Sequence, residues 1–362
     1  MKQQGVFRKI WKDPLGAGGM IIILLAFFVS VFAYFLIPDH SPNANEMHLA
    51  LANKNPGFEV QTLKVPLAEV PATGFMERLV NGAPSRYKVI PVQSVAVKDY
   101  MVMYSEFTGS AEEGVRKSIP LADFEPDGGF TKSTHLVSRK YLLGTDKYGR
   151  DLLSRILLGA RVSFAVGFIS VLISLLIGIP MGALAGFYGG WIDKVVMWFI
   201  NVVWSIPTLL MVIAITLALG KGFWQVFIAV GFTMWVEVAR IVRGQVLGIR
   251  EKEYVQAARV LGYGDRQIIF RHILPNAWAP VIVISAANFA AAILIESGLS
   301  FLGIGAQPPM PSWGGMIKDH YAYLIVDKAY LAIAPGVAIM LLVLSFMMLG
   351  NALRDALDVR KV

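Results

Sequence analysis

The chain has no cysteine among its 362 residues and few charged residues for its length. Without cysteine, disulfide frameworks, thiolate zinc sites and cysteine nucleophiles are excluded. Charged residues make up 16% of the chain, below the roughly 25% typical of soluble domains. Hydrophobic residues make up 56%, and the mean hydropathy is +0.58. This balance predicts a polytopic membrane protein.

Motifs of enzyme chemistry are also missing. The sequence has no Gly-x-x-x-x-Gly-Lys-[Ser/Thr] phosphate-binding loop, no His-Glu-x-x-His and no Gly-x-Ser-x-Gly. The tetrapeptide GYGD (Gly262 to Asp265) matches intramembrane aspartyl proteases. However, Asp265 lies in a basic loop outside the apolar segments, so we interpret the match as a polar turn. We predict that the chain is not an enzyme and binds no metal or cofactor of its own.

Six apolar segments are long enough to cross a bilayer, which takes about 20 helical residues. They are Leu15–Ile37, Val162–Tyr188, Val195–Leu219, Phe223–Ile241, Ala277–Phe301 and Leu331–Leu349. The first is too long for a signal-peptide core and has no small-x-small cleavage site. We therefore predict a retained span there rather than a cleaved signal peptide. The predicted fold class is an all-α polytopic membrane protein with six transmembrane helices.

Basic residues concentrate in three short segments. They are Lys2, Arg8, Lys9 and Lys12 in the N-terminal tail; Arg240, Arg243, Arg250, Lys252, Arg259, Arg266 and Arg271 between spans four and five; and Arg354, Arg360 and Lys361 at the end. The positive-inside rule puts all three segments in the cytoplasm, which agrees with six spans and cytoplasmic termini. The net charge of +8 therefore reflects topology, and we predict no nucleic-acid partner.

A long segment, 39–140, separates the first two spans. The run SRYKVIPVQSVAVKDYMVMY alternates apolar and polar residues and is rich in β-branched and aromatic side chains, which favours strands. We predict a small, β-rich external (periplasmic) insert. The domain organisation is then a basic tail and first span (1–38), the insert (39–140), an interfacial segment (141–161), a five-span core (162–353) with a cytoplasmic loop at 242–276, and a cytoplasmic tail (354–362).

Four blocks of sequence resemble the permeases of ABC transporters, in particular the C-type subunit of the dipeptide/oligopeptide/nickel family. They are LGTDKYGRDLLSRILLGARVSF (143–164), AGFYGGWID (185–193), QAARVLG with RHILPN (256–276) and ESGLSFLGIGAQPPMPSWGGM (296–316). The resemblance implies a type I importer permease in the bacterial inner membrane. It implies a homologous second permease, two cytoplasmic ATPases that bind ATP and Mg²⁺, and an external solute-binding protein as partners. Peptides are the substrate that it implies first; nickel chelates, opines, antibiotic peptides and sugars stay open.

The resemblance makes residues 254–276 the ATPase-coupling loop. Tyr254, Ala258 and Leu261 form an apolar stripe at i, i+4 and i+7, which is typical of a short helix that lies in a partner's groove. Ala257 keeps the surface flat, and Gly262 ends the helix. We expect Asp265 to cap a second helix, 266–273, and Pro275 to terminate it. An amphipathic helix on the membrane surface is the alternative.

This chain departs from the family pattern at Gln256, where glutamate is usual, so a neutral hydrogen bond would replace an ion pair to the ATPase. Trp198 and Asn201 stand where relatives carry arginine and aspartate, and the insert is longer than usual. Such an insert would seat the binding protein or contact the second permease.

Glu296 is the one clear carboxylate in a predicted span, and it lies near the outer end of the fifth span. Carboxylates in membranes are expensive to bury and often functional. Glu296 is therefore a candidate either for a structural bond to a neighbouring helix or loop, or for a place on the substrate pathway. A single such residue does not make a proton relay, which disfavours an ion-coupled carrier. A membrane receptor or scaffold with an external sensing domain is the other alternative.

Overall fold

The structure is a computed structural model that describes residues 4–67, 73–109, 114–220 and 222–357. In chain order its α-helices are α1 (Gln4–Lys12), α2 (Pro14–Leu36), α3 (Phe75–Asn81), α4 (Lys132–His135), α5 (Leu152–Tyr188), α6 (Gly190–Trp204), α7 (Thr208–Leu219), α8 (Phe223–Arg250), α9 (Glu253–Val260), α10 (Asp265–Gln267), α11 (Leu274–Phe301), α12 (Trp313–His320) and α13 (Tyr330–Leu357). The strands are β1 (Phe58–Pro66), β2 (Tyr87–Lys98), β3 (Met101–Glu106), β4 (Arg116–Pro120) and β5 (Leu136–Tyr141).

The membrane-spanning part is helical, as predicted. Within the described residues, α2, α5, α8, α11 with the turns that precede it, and α13 are each long and apolar enough to cross a bilayer. The count reaches six if α6 and α7 together make one span. The predicted C-terminal tail 354–362 begins inside α13, and residues 358–362 lie outside the described residues.

The third predicted span consists of two helices with a sharp bend between them. Helices α6 and α7 meet at an angle of 90°. The break falls at Ser205, Ile206 and Pro207, and Pro207 has an extended backbone (φ −54°, ψ 125°). Proline has no N–H to continue the helix, and its ring disfavours the helical conformation of the residue before it. The apolar composition of 195–219 predicted the span but not the bend.

Helix α5 begins ten residues before the predicted span, at Leu152. Asp151 caps it, because its carboxylate accepts the Ser154 backbone N–H at 2.9 Å. The helix therefore takes in half of the predicted interfacial segment 141–161. Its 37 residues would span about 56 Å, longer than a bilayer core is thick.

Pro275 does not end a helix, contrary to prediction. Residues Ile268–Ile273 form a π-helical turn that runs directly into α11, and the Leu274 N–H bonds to the Ile269 carbonyl five residues back. A widened turn accommodates the ring of Pro275, which lies in the first turn of α11 and needs no hydrogen-bond donor there. The expected side-chain cap from Asp265 is absent as well, since Gly264 occupies the cap position without a side-chain bond.

Helices α5 and α8 pack closely because glycines line their contact. Gly178, Gly182 and Gly186 recur every four residues on α5. A Cβ atom at Gly178 would lie 2.6 Å from the Val238 Cβ, and one at Gly186 would lie 2.8 Å from the Arg243 carbonyl oxygen. Small residues at this spacing let two backbones approach closely in membranes.

The insert is β-rich, which confirms that prediction. Its five strands form one antiparallel sheet in the order β4-β3-β2-β1-β5. The sheet buries Leu63, Val92, Val102 and Phe124 in a small core of its own. Alternating side chains along β1 supply part of this core, as period-two patterning requires.

Candidate coupling surface

Helix α9 turns one face toward its own chain. Val255 is completely buried and Ala258 is 3% exposed. They belong to a hydrophobic cluster that joins the ends of three long helices. Its other members include Phe187 from α5, Val242 and Val246 from α8, Ile268, Ile269 and Ile273 from the π-helical turn, and Val281 from α11. A displacement of α9 would therefore act on α5, α8 and α11 together.

The opposite face of α9 is apolar and uncovered. Tyr254 is 46% exposed, Leu261 76% and Val260 88%, and Ala257 is exposed between them. Contiguous exposed apolar side chains are typical of an interaction surface. The predicted stripe was wrong in one member, because Ala258 lies in the chain's own core. Two apolar rows run along α9, and periodicity alone does not tell which row the chain itself covers.

Gly262 ends α9, as predicted. Its φ of +81° is left-handed, a conformation that glycine adopts without strain. The Gly262 N–H bonds to the Arg259 carbonyl, and the Tyr263 N–H bonds to the Ala258 carbonyl. This is the Schellman pattern of helix termination. It sets the exposed Leu261 at the tip of the segment.

Gln256 ties α9 to the end of α8. Its Nε2 donates to the Arg250 carbonyl oxygen at 3.0 Å. That oxygen belongs to the last residue of α8, where carbonyls have no partner within the helix. An ionised glutamate at position 256 has no donor for this bond. The departure from the family pattern at Gln256 therefore makes a contact inside the chain.

Two arginines of α8 fasten the neighbouring helices. Arg243 Nε and Nη2 donate to the two carboxylate oxygens of Asp193 in α6, at 2.5 and 2.6 Å. Arg250 Nη1 donates to the carbonyls of Gly186 and Phe187 at the end of α5, at 2.9 and 3.3 Å. Bidentate arginine–carboxylate pairs fix geometry as well as charge. These bonds hold α5, α6 and α8 together near the end of α8 from which α9 follows.

The return to α11 passes through exposed residues. Pro275 is exposed, and Asn276 Nδ2 donates to the His272 carbonyl at 2.7 Å. The rings of Tyr263 and His272 meet edge to face, 5.7 Å apart. These contacts hold the turn after α9 against the start of α11.

Glu296 is buried in α11, 1% exposed. Ser300 Oγ donates to its Oε1 at 2.6 Å, and the same Ser300 oxygen accepts the Ala306 backbone N–H at 3.1 Å. The carboxylate is thus linked through Ser300 to the loop that follows α11. This is the arrangement expected of the structural alternative.

A buried ionic cluster lies near the start of α5, and the sequence reasoning missed it. Asp146 is 1% exposed and accepts from Arg150 Nε at 2.6 Å and from the backbone N–H groups of Tyr148 and Arg150 at 2.8 and 3.0 Å. Arg155 Nε lies 3.8 Å from the same carboxylate. The signal was present in TDKYGRDLLSR, where Asp146 and Arg150 stand four residues apart.

This cluster joins the insert to the helical part. Arg150 Nη1 donates to Asn45 Oδ1 at 3.1 Å, and Lys147 Nζ donates to Asp319 at 3.0 Å. Burial lowers the pKa of His320, which lies beside Lys147. Burial also raises the pKa of Asp151, against the hydrogen bonds from Ser154 that lower it. The insert, the start of α5 and α12 therefore share one network.

Trp198 and Asn201, the other departures, are both exposed. The Trp198 ring packs edge to face on Phe199, with centroids 4.9 Å apart. Asn201 contributes its backbone carbonyl, which accepts the Ser205 hydroxyl at 2.7 Å. The polar link between α6 and α8 is made instead by Asp193, which lies nearer the start of α6 and accepts from Arg243.

These features define a class of protein: a polytopic helical membrane protein with a polar helical segment held between two apolar helices. Residues 178–361 match the family model described as binding-protein-dependent transport system inner membrane component. The chain belongs to this family. It is a multi-pass inner membrane protein, and membership implies an ATPase and a substrate-binding protein as partners.

Named relatives agree with the motifs. The chain is 42% identical over 221 residues to the glutathione transport system permease protein GsiD of Pectobacterium atrosepticum, covering 61% of this chain and 73% of that protein. It is 42% identical over 221 residues to the dipeptide transport system permease protein DppC of Alkalihalophilus pseudofirmus, covering 61% and 72%. A solved structure of the MetNI methionine ABC transporter aligns with a TM-score of 0.46 at 21% identity, over 57% of this chain and 96% of that chain.

The resemblance to ABC-transporter permeases is therefore confirmed. These relatives are transport permeases and not enzymes. None of them supports the alternatives of a receptor, a scaffold or an ion-coupled carrier.

Proposed function

We propose that the chain is one of two homologous permeases of an ATP-driven importer, and that α9 docks on a cytoplasmic ATPase. The observation that carries this proposal is the division of α9 into two faces. Tyr254, Val260 and Leu261 are exposed, while Val255 and Ala258 anchor the helix to the ends of α5, α8 and α11. Movement of a docked ATPase would thus be transmitted to the spans directly, through the packing of α9 on the ends of these three helices.

The proposed mechanism is alternating access driven by ATP and Mg²⁺ bound to the partner ATPases. Closure of the ATPases displaces α9, and the displacement passes to α8 through Gln256 and to α5 through Arg250. The Arg243–Asp193 pair carries it on to α6. Each ATPase state must favour one permease state by a few kcal/mol, because equal binding to both states shifts nothing.

The proposed substrate class is small peptides, which the names of the glutathione and dipeptide relatives support. The spans carry few fixed charges, so we assign most of the selectivity to the external binding protein. The proposed topology has both termini in the cytoplasm and the insert outside, because the basic segments then share one side. Glu296 is assigned a structural role, which its bond to Ser300 supports.

Arginine substitutions on the exposed face test the docking proposal. Leu261→Arg and Val260→Arg put a charge into the proposed interface without disturbing the buried face of α9. Burying an unpaired charge costs several kcal/mol, so we expect co-purification of the ATPase and ATP-driven uptake to fall at least about tenfold. Ile325→Arg is the matched control, since Ile325 is 90% exposed and lies between α12 and α13.

Uptake in vesicles supplies the readout. Transport that needs internal ATP and the ATPases supports the proposal, whereas transport driven by an ion gradient without them contradicts it. Normal ATPase co-purification and normal uptake in both α9 variants would contradict docking through this face.

A further inference from the structure

Helix α1 presents three chemically different faces. Successive residues of a helix turn by about 100°, so residues four apart share a face. Val6 and Ile10 form one face, Phe7 and Trp11 the next, and Arg8 and Lys12 the third. Each face has a different environment.

The first face is fixed to the last helix of the chain. Ile10 is 3% exposed and packs with Ala352 and Ala356 of α13. Lys9 Nζ donates to the Ala356 carbonyl oxygen at 3.4 Å. A basic side chain at a helix C-terminus satisfies a free carbonyl and the negative end of the helix dipole. The protein thereby sets the rotation of α1 and turns its other two faces outward.

The second face continues the lipid-facing surface of α2. Phe7 is 64% exposed and Trp11 54%, and Leu15 at the start of α2 is 61% exposed. Leu24 and Leu25 extend this exposed apolar surface along α2, which crosses the membrane. Tryptophan is enriched where a bilayer meets water. The second face of α1 therefore belongs in the same lipid boundary.

The third face carries positive charge that the described part of the chain does not neutralise. Arg8 and Lys12 are exposed, and no acidic residue occurs between Gln4 and Lys12. The next residue, Asp13, is engaged as the cap of α2 and accepts the Gly16 N–H at 3.0 Å. A basic face beside an apolar face is the pattern of a helix that lies on an anionic lipid surface.

We propose that α1 lies in the headgroup region of the bilayer and binds anionic phospholipid through Arg8 and Lys12. Phe7 and Trp11 enter the acyl boundary. Since Lys9 and Ile10 join α1 to the last turn of α13, bound lipid also holds that end of α13. This proposal does not depend on the substrate or on the docking of an ATPase.

Site-directed labelling tests the position of α1. Because the chain has no cysteine, Phe7→Cys and Arg8→Cys each introduce a single thiol into the full chain, which is spin-labelled in nanodiscs. We expect the label at position 7 to be reached by oxygen and shielded from a water-soluble nickel chelate, and the label at position 8 to show the reverse. Equal access of the chelate to both labels would overturn the proposed position.

A charge-neutralising pair tests the lipid. Nanodiscs of mixed phosphatidylcholine and phosphatidylglycerol report the preference of the chain for the anionic lipid, by mass spectrometry of the retained lipids. Each basic side chain near such a surface contributes roughly fivefold, so Arg8→Gln with Lys12→Gln should lower the preference about 25-fold. Both positions are exposed and glutamine is a good helix former, so the fold is retained.

Lys88→Gln with Lys98→Gln is the matched control, because both lysines are exposed on the insert. It should leave the lipid preference unchanged. An undiminished preference in the α1 variant, or an equal loss in the control, would overturn the assignment of anionic lipid to this helix.

Discussion

The close contact of α5 and α8 predicts that a single methyl group at Gly178 destabilises the protein. In Gly178→Ala the new Cβ would lie 2.6 Å from the Val238 Cβ and 2.7 Å from the Trp235 carbonyl oxygen. Ordinary contact begins at 3.4 Å, so the helices must separate by 3.4 − 2.6 = 0.8 Å at this point. Neither obstacle can move aside by a change of rotamer, because the Trp235 carbonyl is backbone and the backbone also fixes the Val238 Cβ.

The loss in the free energy of unfolding follows from this separation of the helices. A gap of about 0.5–1 Å forfeits a quarter to a half of the dispersion attraction between facing atoms. Overpacking of a filled core typically costs about 1–3 kcal/mol. We expect the upper half of this range, because Gly182 and Gly186 pack in the same way and the whole contact loosens.

Unfolding of the full chain by sodium dodecyl sulfate, monitored by circular dichroism, measures the loss of stability. Gly244→Ala is the matched control, since Gly244 lies in α8 and a Cβ there meets nothing within 4 Å. It should leave the stability unchanged or raise it by up to about 1 kcal/mol, because alanine favours helix. If Gly178→Ala unfolds at the same detergent fraction as the unsubstituted chain, the close packing of α5 on α8 is refuted.

Two further perturbations act on polar contacts. Gln256→Glu should be less stable than Gln256→Ala, and both less stable than the parent by about 0.5–1.5 kcal/mol, because glutamate loses the bond to the Arg250 carbonyl and adds negative charge at the C-terminus of α8. The same detergent titration checks this order, and a Glu variant as stable as the parent contradicts it. For Glu46, burial raises the pKa, but hydrogen bonds from His48 and Arg139 and the Arg139 charge lower it to about 2. A lowered pKa stabilises the fold fully above the ordinary value of 4.5, and this contribution, up to about 3 kcal/mol, is lost as the pH falls from 4.5 toward 2. In thermal unfolding, Glu46→Gln should lose less stability than the parent as the pH falls over that window. Parallel curves of stability against pH for the variant and the parent would contradict the assignment.

The sequence by itself determined the class of the protein, the approximate spans and the β-rich insert. Apolar runs of about 20 residues match the thickness of a bilayer core and predict membrane-spanning helices. Alternation in segment 87–106 suits strands with one buried face, and the sheet pairs β2 with β3 there. The motifs around Gln256 and Glu296 also carried the family resemblance without any coordinates.

Only the tertiary structure decided which face of each element is covered and by what. Val255 and Ala258 are as apolar as Tyr254 and Leu261, so periodicity could not tell the buried row from the exposed one; the ends of α5, α8 and α11 make that choice. The effect of a proline on a helix also depended on the surrounding structure.

Pro207 breaks a span, whereas Pro275 continues one because a π-helical turn widens before it. The Asp146 cluster joins residues more than 100 positions apart. Contacts of this kind depend on the path of the whole chain, so a local sequence pattern cannot predict them.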